Sequence, residues 1–154
     1  LWMGVILTAL VRRTHIPRER TLVMLDEVAQ LGPLNAMRQA VTLLRGYGVQ
    51  VWTFWQDLSQ LKLLYPQDWP TIVNNAAVLQ TFGVTNGLMA AECAAVLGCK
   101  PRQLQRLRPG VQMMMEPRRG PRSIARLDYL RDPCFQGLYT SNPRHRHHAP
   151  VATS

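Results

Sequence analysis

TLVMLDE, at residues 21–27, is an apolar segment that is bounded by charged residues and ends in two adjacent carboxylates. A short apolar run rich in residues that favour β-structure is typical of a strand buried on both faces. The pattern predicts a strand over residues 21–25, with Asp26 and Glu27 at its carboxyl end. Ligands of open α/β proteins bind at this end of the strands, so both carboxylates are candidate site residues. The alternative is that they cap the helical segment that follows.

A second bulky apolar run, at residues 49–55, predicts another buried strand, and it also ends in polar residues. These are Gln56 and Asp57. The amide of Gln56 can both donate and accept hydrogen bonds, so at a strand tip beside Asp26 it could bridge a water molecule and a phosphate oxygen. The alternative is an ordinary polar residue at a strand end.

Around these two strands the sequence predicts further alternation of helices and strands. A third strand is expected at residues 77–83, and this order favours an α/β fold with a mostly parallel sheet and right-handed crossovers. Residues 111–115 and 123–129 are expected to pair as an antiparallel edge hairpin around residues 117–121. Helical segments are predicted at residues 1–13, 34–44, 58–65, 71–75 and 86–97.

Size and composition are those of one ordinary domain with a hydrophobic core: 154 residues, of which 47% are hydrophobic. The formal net charge is +9, and all but two of the 18 basic residues are arginines. Arginine suits planar contacts with phosphate or carboxylate groups, so the charge permits a nucleic-acid partner. Genomic base composition is an equally good explanation. Three cysteines without a CxxC spacing fit a reducing cytoplasm, and no apolar run is long enough to span a bilayer.

Arginines and histidines form three further features that could carry function. Arg45 opens the sequence RGYG after the predicted 34–44 helix; it either stabilises that helix end or reaches the nucleotide of a neighbouring subunit as an arginine finger. The histidines of the 131–154 segment have no scaffold and predict no metal site. A solvated charged face or a phosphate-contacting surface is expected of Arg102, Arg106, Arg108, Arg118, Arg119 and Arg122.

The sequence contains no GxxxxGK[ST] pattern, and no lysine precedes Asp26. That pattern forms the loop whose backbone amides and lysine cradle nucleotide phosphates. By itself, therefore, this sequence is not expected to hold ATP by means of such a loop.

Four segments in this order, with the Leu64-Tyr65 pair between the second and the third, resemble the TraG-like type IV coupling proteins of bacterial conjugation and secretion. They are LVMLDEVAQLGPL (22–34), LLRGYGVQVWTFWQDLSQL (43–61), NNAAVLQTFGV (74–84) and RLDYLRDP (126–133). The resemblance implies a RecA-like P-loop NTPase core truncated before its Walker B strand. Residues 1–130 are then the C-terminal part of the ATPase domain, and residues 131–154 an Arg-, His- and Pro-rich disordered tail.

The resemblance also implies ATP and Mg²⁺ as cofactors and assigns roles to individual residues. Asp26 is similar to the Walker B magnesium ligand, Glu27 to its catalytic partner, Gln56 to the polar sensor and Arg45 to the finger that acts across the subunit boundary. The family assembles as a homo-hexamer at the cytoplasmic face of the inner membrane. It moves single-stranded DNA, with an attached relaxase, toward the components of the type IV secretion channel.

Without the phosphate-binding loop, the chain alone is expected to be an inactive fragment of such a motor. Two other functions stay open at this point. One is a non-enzymatic module that binds DNA or docks onto an intact coupling protein, and the other is a fragment of a related DNA translocase.

Overall fold

Helices and strands alternate along the chain in a computed structural model that describes residues 2–33 and 44–140. The predicted 34–44 helix, except its last residue, and residues 141–154 of the predicted tail lie outside the described residues, as does the side chain of Arg45. Short 3₁₀ helices occupy Val28–Leu31, Leu44–Tyr47 and Pro133–Phe135. The regular elements are α1 (Trp2–Val11), β1 (Thr21–Leu25), β2 (Val49–Thr53), α2 (Leu58–Leu64), α3 (Trp69–Asn74), β3 (Leu79–Thr81), α4 (Gly87–Leu97), α5 (Pro101–Gln105), β4 (Val111–Glu116) and β5 (Gly120–Ala125).

The two strands predicted from apolar runs form a parallel pair. β1 and β2 run in register from Thr21 opposite Val49 to Leu25 opposite Thr53. One face of the pair is covered by α1, whose buried Leu7 and Leu10 cluster with Leu44 and Val49. A second cluster, in which Leu25 and Val28 contact Leu61 and Tyr65, attaches α2 to the carboxyl end of the pair.

The opposite face of the parallel pair is open within the described part of the chain. Side chains alternate between the faces of a strand, and those of Leu22, Met24 and Trp52 are 50%, 55% and 44% exposed. The rings of Trp52 and Phe54 stack with their centroids 5.3 Å apart. The prediction that these strands are buried on both faces is therefore wrong for the described residues, because helices pack on one face only.

The remaining strands form a separate antiparallel sheet in the order β3-β4-β5. Leu79 of β3 lies opposite Met115 of β4, so the third predicted strand does not extend the parallel sheet. The prediction of a mostly parallel sheet is wrong here, although the α/β class is confirmed. The physical reason is that the β4–β5 hairpin offers β3 a complete row of backbone partners.

The β4–β5 hairpin itself confirms the antiparallel pairing predicted near the carboxyl end. Its turn spans 117–119, where the N–H of Arg119 donates to the Glu116 carbonyl at 3.0 Å. Helices α4 and α5 cover this sheet through a cluster of Ala94, Leu97, Leu104 and Met113. The five-residue helix α5 was not predicted, and it lies where the sequence becomes rich in Arg and Pro. No helix among the described residues is long and apolar enough to cross a membrane.

Gly48, the last residue of the RGYG sequence, joins the 3₁₀ helix to β2 in a conformation that needs glycine. Its φ is +70°, and a Cβ atom there would lie 2.9 Å from Cγ2 of Ile16 and 3.3 Å from Cδ of Pro17. Its carbonyl accepts a hydrogen bond from the N–H of Thr21 at 2.9 Å, so the turn also fixes the start of β1.

We expect Gly48→Ala to lower the free energy of unfolding by about 1–3 kcal/mol, because it adds a backbone strain and a steric clash. Gly46→Ala is the matched control, since a Cβ at Gly46 meets nothing within 4 Å. Its effect should stay within about 0.5 kcal/mol. Urea unfolding monitored by circular dichroism measures both, and equal stability of the two variants would contradict the prediction.

Candidate functional site

The parallel register brings the polar residues that follow β1 and β2 to the same edge of the sheet. The Phe54 N–H donates to the Leu25 carbonyl at 2.9 Å, and the Val28 N–H donates to the Phe54 carbonyl at 3.3 Å. Asp26 and Glu27 lie between these two hydrogen bonds, and Gln56 follows two residues after Phe54. All three side chains are exposed at the carboxyl end of the strands.

Glu27 has a strained backbone, with φ 49° and ψ 47° in the left-handed region. Among the described residues it is the one non-glycine residue with positive φ. This conformation costs an L-residue with a Cβ roughly 1–2 kcal/mol. It is held because the side chain of the next residue, Val28, is fully buried and draws the chain inward. Strain of this kind clusters at functional sites, so it supports a functional role for the turn.

Neighbouring polar groups fix both carboxylates of this turn. Oδ1 of Asp26 accepts a hydrogen bond from the Glu27 N–H at 3.0 Å. Oε2 of Glu27 accepts one from the Gln30 amide, and the Gln30 N–H donates to the Glu27 carbonyl at 2.9 Å. Gln30 thus orients Glu27, a positioning role that the sequence did not indicate.

Gln56, which precedes α2, is paired with a residue of that helix and not with the carboxylates. Its N–H donates to Oε1 of Gln60 at 3.2 Å, and its Oε1 accepts from Nε2 of Gln60 at 3.0 Å. Within the described chain it makes no hydrogen bond to Asp26 or Glu27. Among residues 2–33 and 44–140, no group accepts a hydrogen bond from its Nε2.

Asp57 caps helix α2. Its Oδ1 accepts hydrogen bonds from the Ser59 hydroxyl at 2.6 Å and from the Gln60 N–H at 2.9 Å. These bonds, the one from Ser59 first, lower the pKa of the Asp57 carboxyl. Asp57 therefore positions the helix that carries Gln60, and so holds Gln56 at the strand edge.

The oxygen groups at this edge suit a hard divalent cation such as Mg²⁺. Neither Asp26 nor Glu27 forms an ion pair with another described residue, so no basic side chain of the described chain competes for them. No group of three or more His, Cys, Asp or Glu residues that could bind a metal ion alone occurs among residues 2–33 and 44–140. A cation here would need further ligands, such as water or phosphate oxygens.

A family model described as the TraM recognition site of TraD and TraG matches residues 20–108, more than half of the chain. The chain belongs to this TraG-like coupling-protein family. The match begins one residue before β1 and ends after α5, so it includes both strand tips. The resemblance drawn from the sequence segments is thereby confirmed.

A curated relative of this coupling-protein family is similar over a short segment. The conjugal transfer protein TraG of Escherichia coli is 40% identical over 45 residues, which are 29% of this chain and 7% of that protein. The chain therefore spans a small part of the length of this relative.

Solved structures share the fold of this coupling-protein chain. The unbound conjugative coupling protein TrwB superimposes with a TM-score of 0.72 at 18% identity, over 82% of this chain and 35% of its own. TrwB in complex with ADP and Mg²⁺ gives 0.69 at 19% identity, over 80% and 34%. The genome packaging NTPase B204 of Sulfolobus turreted icosahedral virus 2, in complex with AMPPCP, gives 0.56 at 11% identity, over 70% and 53%. At these identities the likeness is one of fold.

We expect Asp57→Ala to destabilise this coupling-protein chain by about 1 kcal/mol near neutral pH, through loss of the cap. Because the pKa of Asp57 is lowered in the folded state, its contribution is present above the usual pKa of an aspartate, about 3.9, and is lost as pH falls through the lowered value. The difference from the unmodified chain should therefore shrink in acid. Urea titrations over a pH series measure it.

Asp57→Asn is the matched control, since asparagine caps a helix equally well but does not titrate. It should keep the stability of the unmodified chain near neutral pH. A pH-independent difference between Asp57→Ala and the unmodified chain would contradict the assignment of the lowered pKa to the cap.

Proposed function

We propose that this chain forms the acidic strand edge of the nucleotide site in an ATP-driven motor that transfers single-stranded DNA. The observation that carries the proposal is the turn at Asp26 and Glu27. Two adjacent exposed carboxylates stand at the carboxyl end of a parallel strand pair, one of them in a strained left-handed conformation. Carboxylates in this place are what a P-loop NTPase uses for Mg²⁺ and for water.

Each side chain of the edge has a proposed part in hydrolysis. Asp26 would hold Mg²⁺, and Glu27, oriented by Gln30, would accept a proton from the attacking water. Gln56 hydrogen bonds to that water or to a terminal phosphate oxygen. Mg·ATP, when bound, would supply the phosphoryl group, and its Mg²⁺ would neutralise part of the negative charge on the phosphates. These residues fit Mg²⁺, whereas this sequence provides no phosphate-binding loop.

The proposal therefore requires the phosphate-binding loop to come from another segment of polypeptide. Within the described chain β2 pairs only with β1, and β3 pairs only with β4, so each strand has an edge open to a further strand. A segment that supplies the loop could pair with these edges and cover the open apolar face. The 154-residue chain alone would then be inactive as an ATPase.

In the assembled motor we place the chain in a homo-hexamer at the cytoplasmic face of the inner membrane. Its substrate there is single-stranded DNA with a relaxase, delivered to the type IV secretion channel. The family model names this region as the TraM recognition site of TraD and TraG, so recognition of a TraM-like protein is a further part of the proposal. Arg45 acts across the subunit boundary on the nucleotide of the neighbour.

A second candidate is a non-enzymatic module that binds DNA or docks onto an intact coupling protein. The net charge of +9 and the missing phosphate-binding loop favour it. This module would bind DNA without nucleotide and would not contribute to ATP hydrolysis. These two properties would distinguish the module from the motor. A third candidate is that the chain is part of a related DNA translocase. The fold that it shares with a packaging NTPase is compatible with this candidate.

We expect Glu27→Gln, in an assembly that includes the phosphate-binding loop, to bind nucleotide normally but to hydrolyse it at least about 100-fold more slowly. The amide keeps the shape and the hydrogen bond from Gln30 but cannot accept a proton. Nucleotide affinity and steady-state turnover are measured separately. Glu19→Gln is the control, because Glu19 is exposed in the connector before β1. Normal turnover of Glu27→Gln would remove Glu27 from the mechanism.

We expect Arg45→Ala subunits to be inactive in the assembled ring and to regain activity when mixed with Glu27→Gln subunits. In an equal random mixture, about a quarter of the subunit boundaries combine an intact Glu27 from one subunit with an intact Arg45 from the next. Only these boundaries are expected to be active. Turnover of the mixture is compared with that of each variant alone. A mixture no more active than its components would exclude action across the boundary.

A further inference from the structure

A basic cavity lies between α5, the loop that follows it and β5. Its volume is about 420 Å³, and four of its lining residues are cationic: Lys100, Arg102, Arg106 and Arg108. No carboxylate lines it, and none of the four forms an ion pair within the described chain. The charge is therefore concentrated and uncompensated, as in a site that binds an anionic ligand.

The adjacent hairpin differs from this cavity, because two of its arginines lie beside a carboxylate. Arg122 donates to Oε2 of Glu116 at 2.9 Å, and Nη1 of Arg119 lies 3.7 Å from the same oxygen. Two hairpin arginines thus share the Glu116 carboxylate, whereas no carboxylate lines the cavity beside α5.

A second cavity, of about 250 Å³, continues the first along the same surface, because Leu107, Arg108 and Val111 line both. Its walls include Phe82 and Arg126. The guanidinium carbon of Arg126 lies 4.9 Å from the centre of the Phe82 ring, which belongs to a side chain that is 51% exposed. A flat aromatic surface next to a row of cations is thereby open to solvent.

We propose that the two cavities form one groove that binds single-stranded nucleic acid. Lys100, Arg102, Arg106 and Arg108 contact successive phosphates, and a base stacks on the Phe82–Arg126 pair. Single-strand binding sites combine these two elements, a cationic track and aromatic or arginine platforms. An acidic peptide would use the cations but would leave the exposed ring without a role, and the bases of a duplex are already stacked on one another.

The groove deepens the proposed function by giving the transferred strand a contact surface, and it shares no lining residue with the turn at Asp26 and Glu27. The test needs neither nucleotide nor Mg²⁺, so failure of the groove and failure of the ATPase proposal are distinguishable.

The experiment measures binding of the 154-residue chain to fluorescein-labelled oligothymidylate of about 16 nucleotides, by anisotropy over a salt series. The double variant Arg102→Gln/Arg106→Gln should make the slope of log K against log salt shallower by about 1.4, the value for two lost phosphate contacts on a single strand. Arg18→Gln/Arg118→Gln changes the net charge equally, at two exposed arginines outside the groove, and should leave the slope unchanged.

The aromatic element is tested independently of charge. Phe82→Leu should weaken binding at least about five-fold through loss of stacking, whereas Phe82→Tyr should retain the affinity. Oligouridylate in parallel distinguishes RNA from DNA as the source of the strand. Circular dichroism verifies the fold of each variant.

Three results would overturn the groove. The first is equal loss of binding by the groove and control double variants, and the second is tighter binding of a polyglutamate peptide than of the oligonucleotide. The third is duplex DNA binding as tightly as the single strand, with Phe82→Leu having no effect.

Discussion

The hydrogen bond from the Val28 N–H to the Phe54 carbonyl, together with complete burial of the Val28 side chain, is the constraint on which the strand-tip site depends. It keeps the chain beside β2 beyond the end of β1, so the two intervening residues have to turn within a very short span. Glu27 takes the left-handed conformation as a result. Packing of the buried Val28 side chain thus stabilises a strained backbone conformation at Glu27, the residue for which a catalytic role is proposed.

The sequence predicts the parallel pair well because its signal is local. Charged residues on both sides of an apolar run mark the ends of β1, and the observed strand ends at Leu25 as predicted. The partner of β3 could not be predicted in this way. β3 has three residues, and its pairing with Met113–Met115 depends on a hairpin some thirty residues further along the chain. Periodicity predicts that a strand exists but carries no information about its neighbour.

In the candidate site, too, the features that depend on local sequence are predictable and those that depend on tertiary packing are not. The positions of Asp26, Glu27 and Gln56 at strand ends follow from composition, but the positive φ of Glu27 arises from tertiary packing around Val28. The cap at Asp57 had a recognisable signal, since an aspartate followed three residues later by glutamine is typical of a helix start. No such signal joins Phe82 to Arg126, because their contact depends on the pairing of β3 with the hairpin.

The open face of the parallel pair links folding to the proposed chemistry. Leu22, Met24 and Trp52 each leave about half of their side chains in water, and burying apolar surface is worth roughly 25 cal/mol per Å². A segment that packs on this face gains that free energy, and because the same strands end at Asp26 and Gln56, it also approaches the strand tips. Under the proposed function, the apolar contact and the completion of the nucleotide site are thermodynamically linked. A motor that needs its phosphate-binding loop for activity would then be stabilised by the segment that supplies the loop, and this explains why an exposed hydrophobic face adjoins an exposed acidic edge.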